Sequence, residues 1–328
     1  MHNELIIKPY PLFSIGFMKA FAVTMRPYLL FVSGITGLAG LAFSAGSDFT
    51  RFLLVGLASF LSYGFGQALT DCFQTDTDVI SSPYRPLVQG LISVRDVLFV
   101  SMAGLLICVA IFAHYSVWNI ALGGLSALGL LTYTWFKKRY WAGPFYNAWI
   151  VAVLFLMGYI TSPAESTGAH LMLLPAVILV FSGYANFVLG GYFKDIEADR
   201  QTGYFTLPVK FGRKISAYFS DLFALGMILP AASLLIKELR AGKELSMVLP
   251  AMVFLMLSLA VTVTAQVLLH RVRTDDSAHK PIALIVHGYI LCLSAVSLLQ
   301  RPEWWLFLAG YYFLFIAVLK LRPSESQI

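Results

Sequence analysis

Long apolar runs follow one another almost without interruption from residue 27 to residue 319, and they constrain this chain more than any single motif does. A helix crossing a bilayer needs about 20 mainly apolar residues, because each backbone amide and carbonyl inside lipid must find its partner within the segment. Windows of this kind cover residues 27–46, 52–70, 96–114, 117–135, 145–162, 169–192, 215–236, 247–269, 281–299 and 303–319. Short connectors join them, so the sequence predicts a single all-α polytopic membrane domain over residues 1–328, a bundle of about nine or ten transmembrane helices. With 59% hydrophobic and only 12% charged residues, an ordinary soluble domain is excluded.

Charge then orients the bundle. Of the 23 Lys and Arg residues, all but Arg51, Lys237, Arg240, Lys243 and Arg301 fall on the side that also holds the N-terminus, and positive loops stay cytoplasmic. The expectation is an integral, multi-pass protein of a bacterial inner (cytoplasmic) membrane, surrounded by lipid, whose functional face opens toward the cytoplasm. The net charge of +6 is therefore a topology signal. Nucleic acid is not an expected partner, since no soluble basic surface with recognition elements accompanies that charge. Cys72, Cys108 and Cys292 stand apart without metal-type spacing and read as packing residues.

Against this background, "QALTDCFQTDTD" is out of place, with three aspartates between Asp71 and Asp78. Continued as helix from the second span, Gln67, Asp71, Gln74 and Asp78 would share one face, while Asp76 would point away. A second acidic stretch, "YFKDIEADRQTG", closes the sixth span and places Asp195 and Asp199 one helical turn apart. Both stretches end even-numbered spans on the same side, four spans apart. That symmetry predicts two pseudo-repeated four-helix halves around a central cavity. Stacked carboxylates repel and are costly near a membrane unless a cation joins them. Mg²⁺ suits such a place, because it takes hard oxygen ligands, one or two carboxylates at a time, and completes its shell with water and phosphate oxygens. Asp71, Asp78, Asp195 and Asp199 are thus the candidate metal ligands and catalytic residues. Arg85, Lys138, Arg139, Lys194 and Arg200 in the same layer are candidates to bind a diphosphate. A transporter would place its ligands near the bilayer midplane in broken helices, and both clusters here lie at span ends. Asn147, Asn186, Asp221 and His287 fall within or beside spans, where hydrogen bonding between helices is the expected role.

The same residues resemble the paired motifs of the UbiA superfamily of intramembrane prenyltransferases. "TDCFQTDTD" followed by "SSPYRPLVQG" matches the first motif at Asp71, Asp78, Pro83, Arg85, Pro86 and Gly90. "YFKDIEADRQTGYFTLPVKFG" matches the second at Tyr192, Lys194, Asp195, Asp199, Gly203, Thr206 to Val209, Phe211 and Gly212. Three positions depart from the pattern: Thr70 replaces the usual Asn, Gln74 the middle Asp of the first motif, and Tyr204 a frequent last Asp of the second. The resemblance implies a Mg²⁺-dependent enzyme that ionises an allylic prenyl diphosphate and passes the prenyl cation to a lipophilic, aromatic acceptor. Gln67, Gln74 and Tyr192 would be further substrate contacts. It also admits an alternative, a terpene cyclase on the same scaffold that needs no acceptor. The family's usual complement is nine spans, so the span at 303–319 is expected to be a peripheral addition.

Overall fold

The computed structural model describes residues 8–44, 46, 48–162 and 167–321, and among them all regular structure is helical. Thirteen α-helices follow in chain order: α1 (Ile15–Thr24), α2 (Leu30–Ala42), α3 (Phe49–Asp71), α4 (Thr75–Ser81), α5 (Val94–Tyr115), α6 (Trp118–Arg139), α7 (Gly143–Tyr159), α8 (Thr167–Tyr192), α9 (Ile196–Gln201), α10 (Leu207–Arg240), α11 (Leu245–Leu269), α12 (His279–Gln300) and α13 (Trp305–Lys320). Each of the ten apolar windows meets one long helix. The spans that qualify by length and composition alone are fewer, 7, or up to 8 when the bent pair Ile15–Thr24 and Pro27–Ala42 is taken as one. The difference lies mainly in α7, which has 17 residues, and in α6, whose last turn carries Lys137, Lys138 and Arg139.

Nine of these helices form a closed ring. Neighbours in sequence pack side by side from α2 through α3, α5, α6, α7, α8, α10 and α11 to α12, and α12 returns to α2. The closure is marked by a hydrogen bond of 2.8 Å between Thr36 on α2 and Tyr289 on α12. Helix α2 also crosses the ring to α7, and α12 crosses it to α8 and α10. Lipid gives apolar faces no reason to prefer each other over acyl chains, so tight association in a bilayer depends on small residues that let backbones approach. At this crossing a Cβ on Gly40 would lie 2.0 Å from the Phe155 carbonyl oxygen, and one on Gly158 would lie 2.3 Å from that of Gly37. Polar bonds join other pairs: Ser220 on α10 bridges Asn186 on α8 and Gln266 on α11, which is the helix-bonding role expected of Asn186. Asp221 likewise meets His270 at 2.7 Å across α10 and α11.

Helix α13 stands outside the ring, with 11% of its apolar window buried. Tyr312 on it bonds His287 on α12 at 2.9 Å, and Tyr311 donates to the Phe31 carbonyl on α2 at 2.8 Å. The peripheral position expected for the last span is the one observed.

The α2–α7 crossing carries a direct expectation. Gly40→Val and Gly158→Val each force backbone apart and should destabilise the folded bundle by about 1–3 kcal/mol, the usual cost of overpacking. Thermal unfolding in detergent should show the loss, whereas Gly124→Ala, where a Cβ meets nothing within 4 Å, should leave Tm unchanged.

Candidate active site

Both acidic stretches leave the regular helix before their second carboxylate. Helix α3 stops at Asp71, the chain turns through Cys72 to Gln74, and a new short helix begins at Thr75. The single helical face expected through Asp78 is therefore not formed. A straight helix would carry Asp78 about 10 Å past Asp71 at 1.5 Å per residue, beyond the bundle. The break folds the segment back, so that Asp71, Gln74 and Asp78 line one cavity after all. The second stretch behaves alike: α8 ends at Tyr192, Asp195 caps α9, and Gly203, at φ 75°, supplies the left-handed residue that ends α9. The Tyr204 amide then bonds back to the Asp199 carbonyl at 2.8 Å.

The two loops meet over the cavity. Thr77 and Thr202 join hydroxyls at 3.1 Å, and the Tyr204 hydroxyl donates to Asp76 at 3.1 Å. Asp76 also accepts from Lys138 at 2.7 Å, so it faces away from the cavity as its helical position predicted and serves to tie the loops together. Tyr204, one of the three departures from the motif, is thus a clasp between the stretches.

Inside, acids and bases alternate. Arg26 donates to both oxygens of Asp71 at 3.0 Å, and Gln67, one turn earlier on α3, donates to the same carboxylate at 2.6 Å. Arg85 pairs closely with Asp78 and lies 3.8 Å from Asp71. Lys137 pairs with Asp199 at 3.2 Å and sits over the rings of Tyr192 and Tyr204 at 4.9 and 4.8 Å. Tyr192 in turn bonds Tyr133 at 2.7 Å. Lys194 and Asp195 complete the lining from the second stretch.

Four residues do not sit where the sequence placed them. Asp199 is wholly buried behind Lys137 and does not line the cavity; neither of its oxygens accepts a well-formed hydrogen bond. Lys138 is spent on Asp76, Arg139 lies over Trp135 with its centre 4.6 Å from the ring, and Arg200 bonds Glu197 on the exposed side of α9. Consecutive helical residues point about 100° apart, so of Lys137, Lys138 and Arg139 only Lys137 faces inward. Arg26 and Lys137 are the cations the motifs did not announce. For Arg26 a signal exists: it precedes Pro27, and a residue before proline is pushed out of the helical region. Arg26 leaves the right-handed helical region at the bend between α1 and α2, though its backbone is left-handed, φ 52°, and not the extended form that a following proline favours.

Burial shifts the groups in these loops. It raises the Asp78 carboxyl to about 6 against the opposing pull of Arg85, and raises Asp199 to about 6 against that of Lys137. It also lowers Lys194 to about 8, with Asp195 opposing and Arg85 and Arg26 adding to the depression. Arg85 moves upward, because Asp71 and Asp78 outweigh the burial that would discharge it.

Two more recesses adjoin this polar cavity. One runs into the bundle between α3, α5, α6 and α7, shares Tyr63, Gln67, Thr70, Asn147 and Tyr184 with it, and is otherwise largely apolar. The other lies beside α1 and the end of α13, shares Arg26, Asp71 and Arg85, and is walled by Ala22, Val23, Pro27, Leu87, Val318 and Leu321.

The family model of the UbiA prenyltransferase family matches residues 31–287. The chain belongs to the UbiA prenyltransferase family. It is accordingly a prenyltransferase and an integral, multi-pass membrane protein. Its sequence is similar to the digeranylgeranylglyceryl phosphate synthase of Thermococcus kodakarensis, with 29% identity over 213 residues, 63% of this chain and 74% of that protein. Its fold is similar to that of a UbiA homolog from Aeropyrum pernix K1, with TM-score 0.65 and 20% identity over 79% of this chain and 94% of the other. A UbiA homolog from Archaeoglobus fulgidus bound to DMAPP and Mg²⁺ shares the fold at TM-score 0.61 and 17% identity, over 91% and 99% of the two chains. α13 lies beyond the matched residues.

One consequence concerns Arg26. Arg26→Ala leaves Asp71 buried without its bidentate partner, a change that costs about 3–5 kcal/mol in a buried pair. Turnover should fall at least ten-fold, and Arg26→Lys should restore it only in part, since a lysine ammonium is more strongly hydrated and costs more to bury. Steady-state kinetics on both variants checks this.

Proposed function

We infer that this UbiA member joins a prenyl group from an allylic diphosphate to an amphiphilic acceptor built on glyceryl phosphate, with Mg²⁺ as cofactor. The observation that carries the reading is the junction of one charged cavity with two apolar recesses. A prenyl diphosphate needs a charged pocket continuous with a long apolar one, which the polar cavity and the recess between α3, α5, α6 and α7 supply. A lipid acceptor with an anionic head needs cations next to an apolar wall open to the bilayer side. The recess by α1 and α13 offers Arg26 and Arg85 beside Val23, Leu87 and Val318. An aromatic acceptor, which the family resemblance alone suggested, leaves that apolar wall without a use. The named relative from Thermococcus makes a glyceryl phosphate lipid by its own name, and this supports the same acceptor class. Nothing among the relatives supports the cyclase alternative.

The donor set fits Mg²⁺. Among the described residues no three His, Cys, Asp or Glu side chains form a metal cage, and Mg²⁺ shared with a diphosphate takes only one or two carboxylates, with water and phosphate oxygens completing its shell. Asp71, Asp78 and Asp195 face the cavity, while Asp199 stays behind Lys137, 3.2 Å from its ammonium. Asp71 and Asp78 on one loop and Asp195 on the other would hold the metal. Mg²⁺ bound to the diphosphate would act as Lewis acid on the leaving oxygens.

The chain's own residues would do the rest. Arg85 and Lys194 neutralise charge on the diphosphate as the allylic C–O bond breaks and its electron pair leaves with oxygen. Tyr63, Tyr133 and Tyr184 line the site, where aromatic rings would stabilise the allylic cation; the Tyr192 ring already carries the Lys137 ammonium. The clasp of Thr77, Thr202 and Tyr204 keeps water away from it. An acceptor hydroxyl oxygen then forms the new C–O bond, and its proton passes to the released diphosphate or to a cavity carboxylate. In the membrane, the site would open to the cytoplasm, as the Lys and Arg distribution predicts. The named relatives are archaeal, so they add no support for a bacterial membrane.

The test is reconstitution in liposomes with Mg²⁺, geranylgeranyl diphosphate and either geranylgeranylglyceryl phosphate or hydroxybenzoate. An ether-linked product from the first acceptor alone is expected, lost by at least about 100-fold in Asp71→Ala and Asp195→Ala, as for removal of a main electrostatic element. Product from hydroxybenzoate alone would move the acceptor class back to aromatic. Hydrocarbon or terpene alcohol formed without acceptor would make the chain a cyclase. EDTA should abolish turnover and excess Mg²⁺ should restore it.

A further inference from the structure

The apolar recess has a defined depth. Its mouth is at Gln67 and Asn147, which also line the charged cavity, and it follows α7 from Asn147 to Met157, about 15 Å at 1.5 Å per residue. At the far end it meets Phe112 near the end of α5 and Met157 near the end of α7, both buried. These two residues are fixed by a third. Asn119, at the start of α6 and wholly buried, donates its side-chain amide to the carbonyl of Phe112 at 3.0 Å and to that of Met157 at 3.3 Å. One polar side chain thus pins the ends of α5 and α7 together, under the deepest part of the recess.

An amide buried at a lipid-embedded position is expensive unless it bonds, and two bonds to two different helices make it a rigid tie. Between mouth and far end, Ser62, Gly66 and Ala127 leave room beside α3 and α6, while Val109, Ile150 and Leu154 form apolar side walls. Phe112 and Met157 are the lining residues that end it.

We propose that Phe112 and Met157, held by Asn119, form the floor that sets the longest prenyl chain this enzyme accepts. The assignment rests on the reading of the apolar recess as the donor's hydrocarbon site. Chain lengths beyond the floor must fold back or leave the diphosphate short of Arg85 and Lys194, which lowers turnover rather than excluding binding altogether. Ala127, partway down on α6, faces the same space and offers the opposite change.

The experiment compares kcat/KM for geranyl, farnesyl, geranylgeranyl and geranylfarnesyl diphosphates, with one acceptor, in liposomes. Because the readout is a ratio between donors within each variant, partial loss of folded protein cancels. Phe112→Ala and Met157→Ala should each raise the ratio of geranylfarnesyl to geranylgeranyl turnover by about ten-fold, the discrimination a few methylenes provide in an apolar pocket. Ala127→Phe should shift preference toward geranyl and farnesyl by a similar factor, and Asn119→Leu should blur the cutoff without moving it to shorter donors. Unchanged ratios in Phe112→Ala, Met157→Ala and Ala127→Phe, with turnover retained, would overturn the floor while leaving prenyl transfer intact. Absence of turnover with every donor in the unaltered protein would overturn the transfer reading, and the floor with it.

Discussion

Everything at the functional end of this bundle depends on compensating buried charge. A carboxylate withdrawn from water into a membrane-embedded cavity is tolerable only next to a cation that reaches it with good geometry. Three such pairings are built here, Arg26 with Asp71, Arg85 with Asp78 and Lys137 with Asp199. Each joins different parts of the chain, so the pairs also set the local fold: Arg26 ties the bend before α2 to the end of α3, Arg85 folds the loop after α4 back over the cavity, and Lys137 anchors the second acidic loop to the end of α6. The broken helices at Cys72 and at Phe193 follow from the same demand, since unbroken helices would carry the second acid of each stretch away from its partner.

Helix α2 links this charged layer to the apolar bundle. All its residues are buried, and it contacts α3, α7 and α12. It can serve as a shared wall only because Gly37 and Gly40 let α7 come to backbone contact. Arg26 stands just ahead of α2, at a backbone bend that Pro27 enforces. A helix chosen for close packing and a cation chosen for charge therefore meet within a few residues, which is why the polar cavity opens directly onto an apolar one.

Much of this was legible in the sequence, and the reasons for the rest are specific. The ten apolar windows found their helices because each is bounded by polar or glycine-containing connectors. Asp71, Asp78, Asp195, Arg85, Lys194, Gln67, Gln74 and Tyr192 reach the cavity, each beside a motif whose spacing brings it to a span end. Lys137 could not be told from Lys138 or Arg139, because α6 is apolar around most of its circumference and its sequence does not fix which side faces inward. Asp199 was read as facing the site from helical spacing and from its match to the second motif. Spacing fixes the direction of a side chain on its own helix, and not what another helix puts in front of it.

The two departures that replace a motif carboxylate bear on metal use. Gln74 lines the cavity without adding charge, and Tyr204 spends its hydroxyl on Asp76 outside it. The remaining carboxylates, Asp71, Asp78, Asp195 and the buried Asp199, are matched one for one by Arg26, Arg85, Lys137 and Lys194. A site so nearly neutral has little spare positive charge for a diphosphate that brings several negative ones. On the proposed reading, that deficit is what divalent cations arriving with the diphosphate would make good. The same balance limits how far the acids can be removed: with Asp71 or Asp78 gone, Arg26 and Arg85 would turn to the diphosphate itself, holding the substrate while losing the carboxylate that shares its metal.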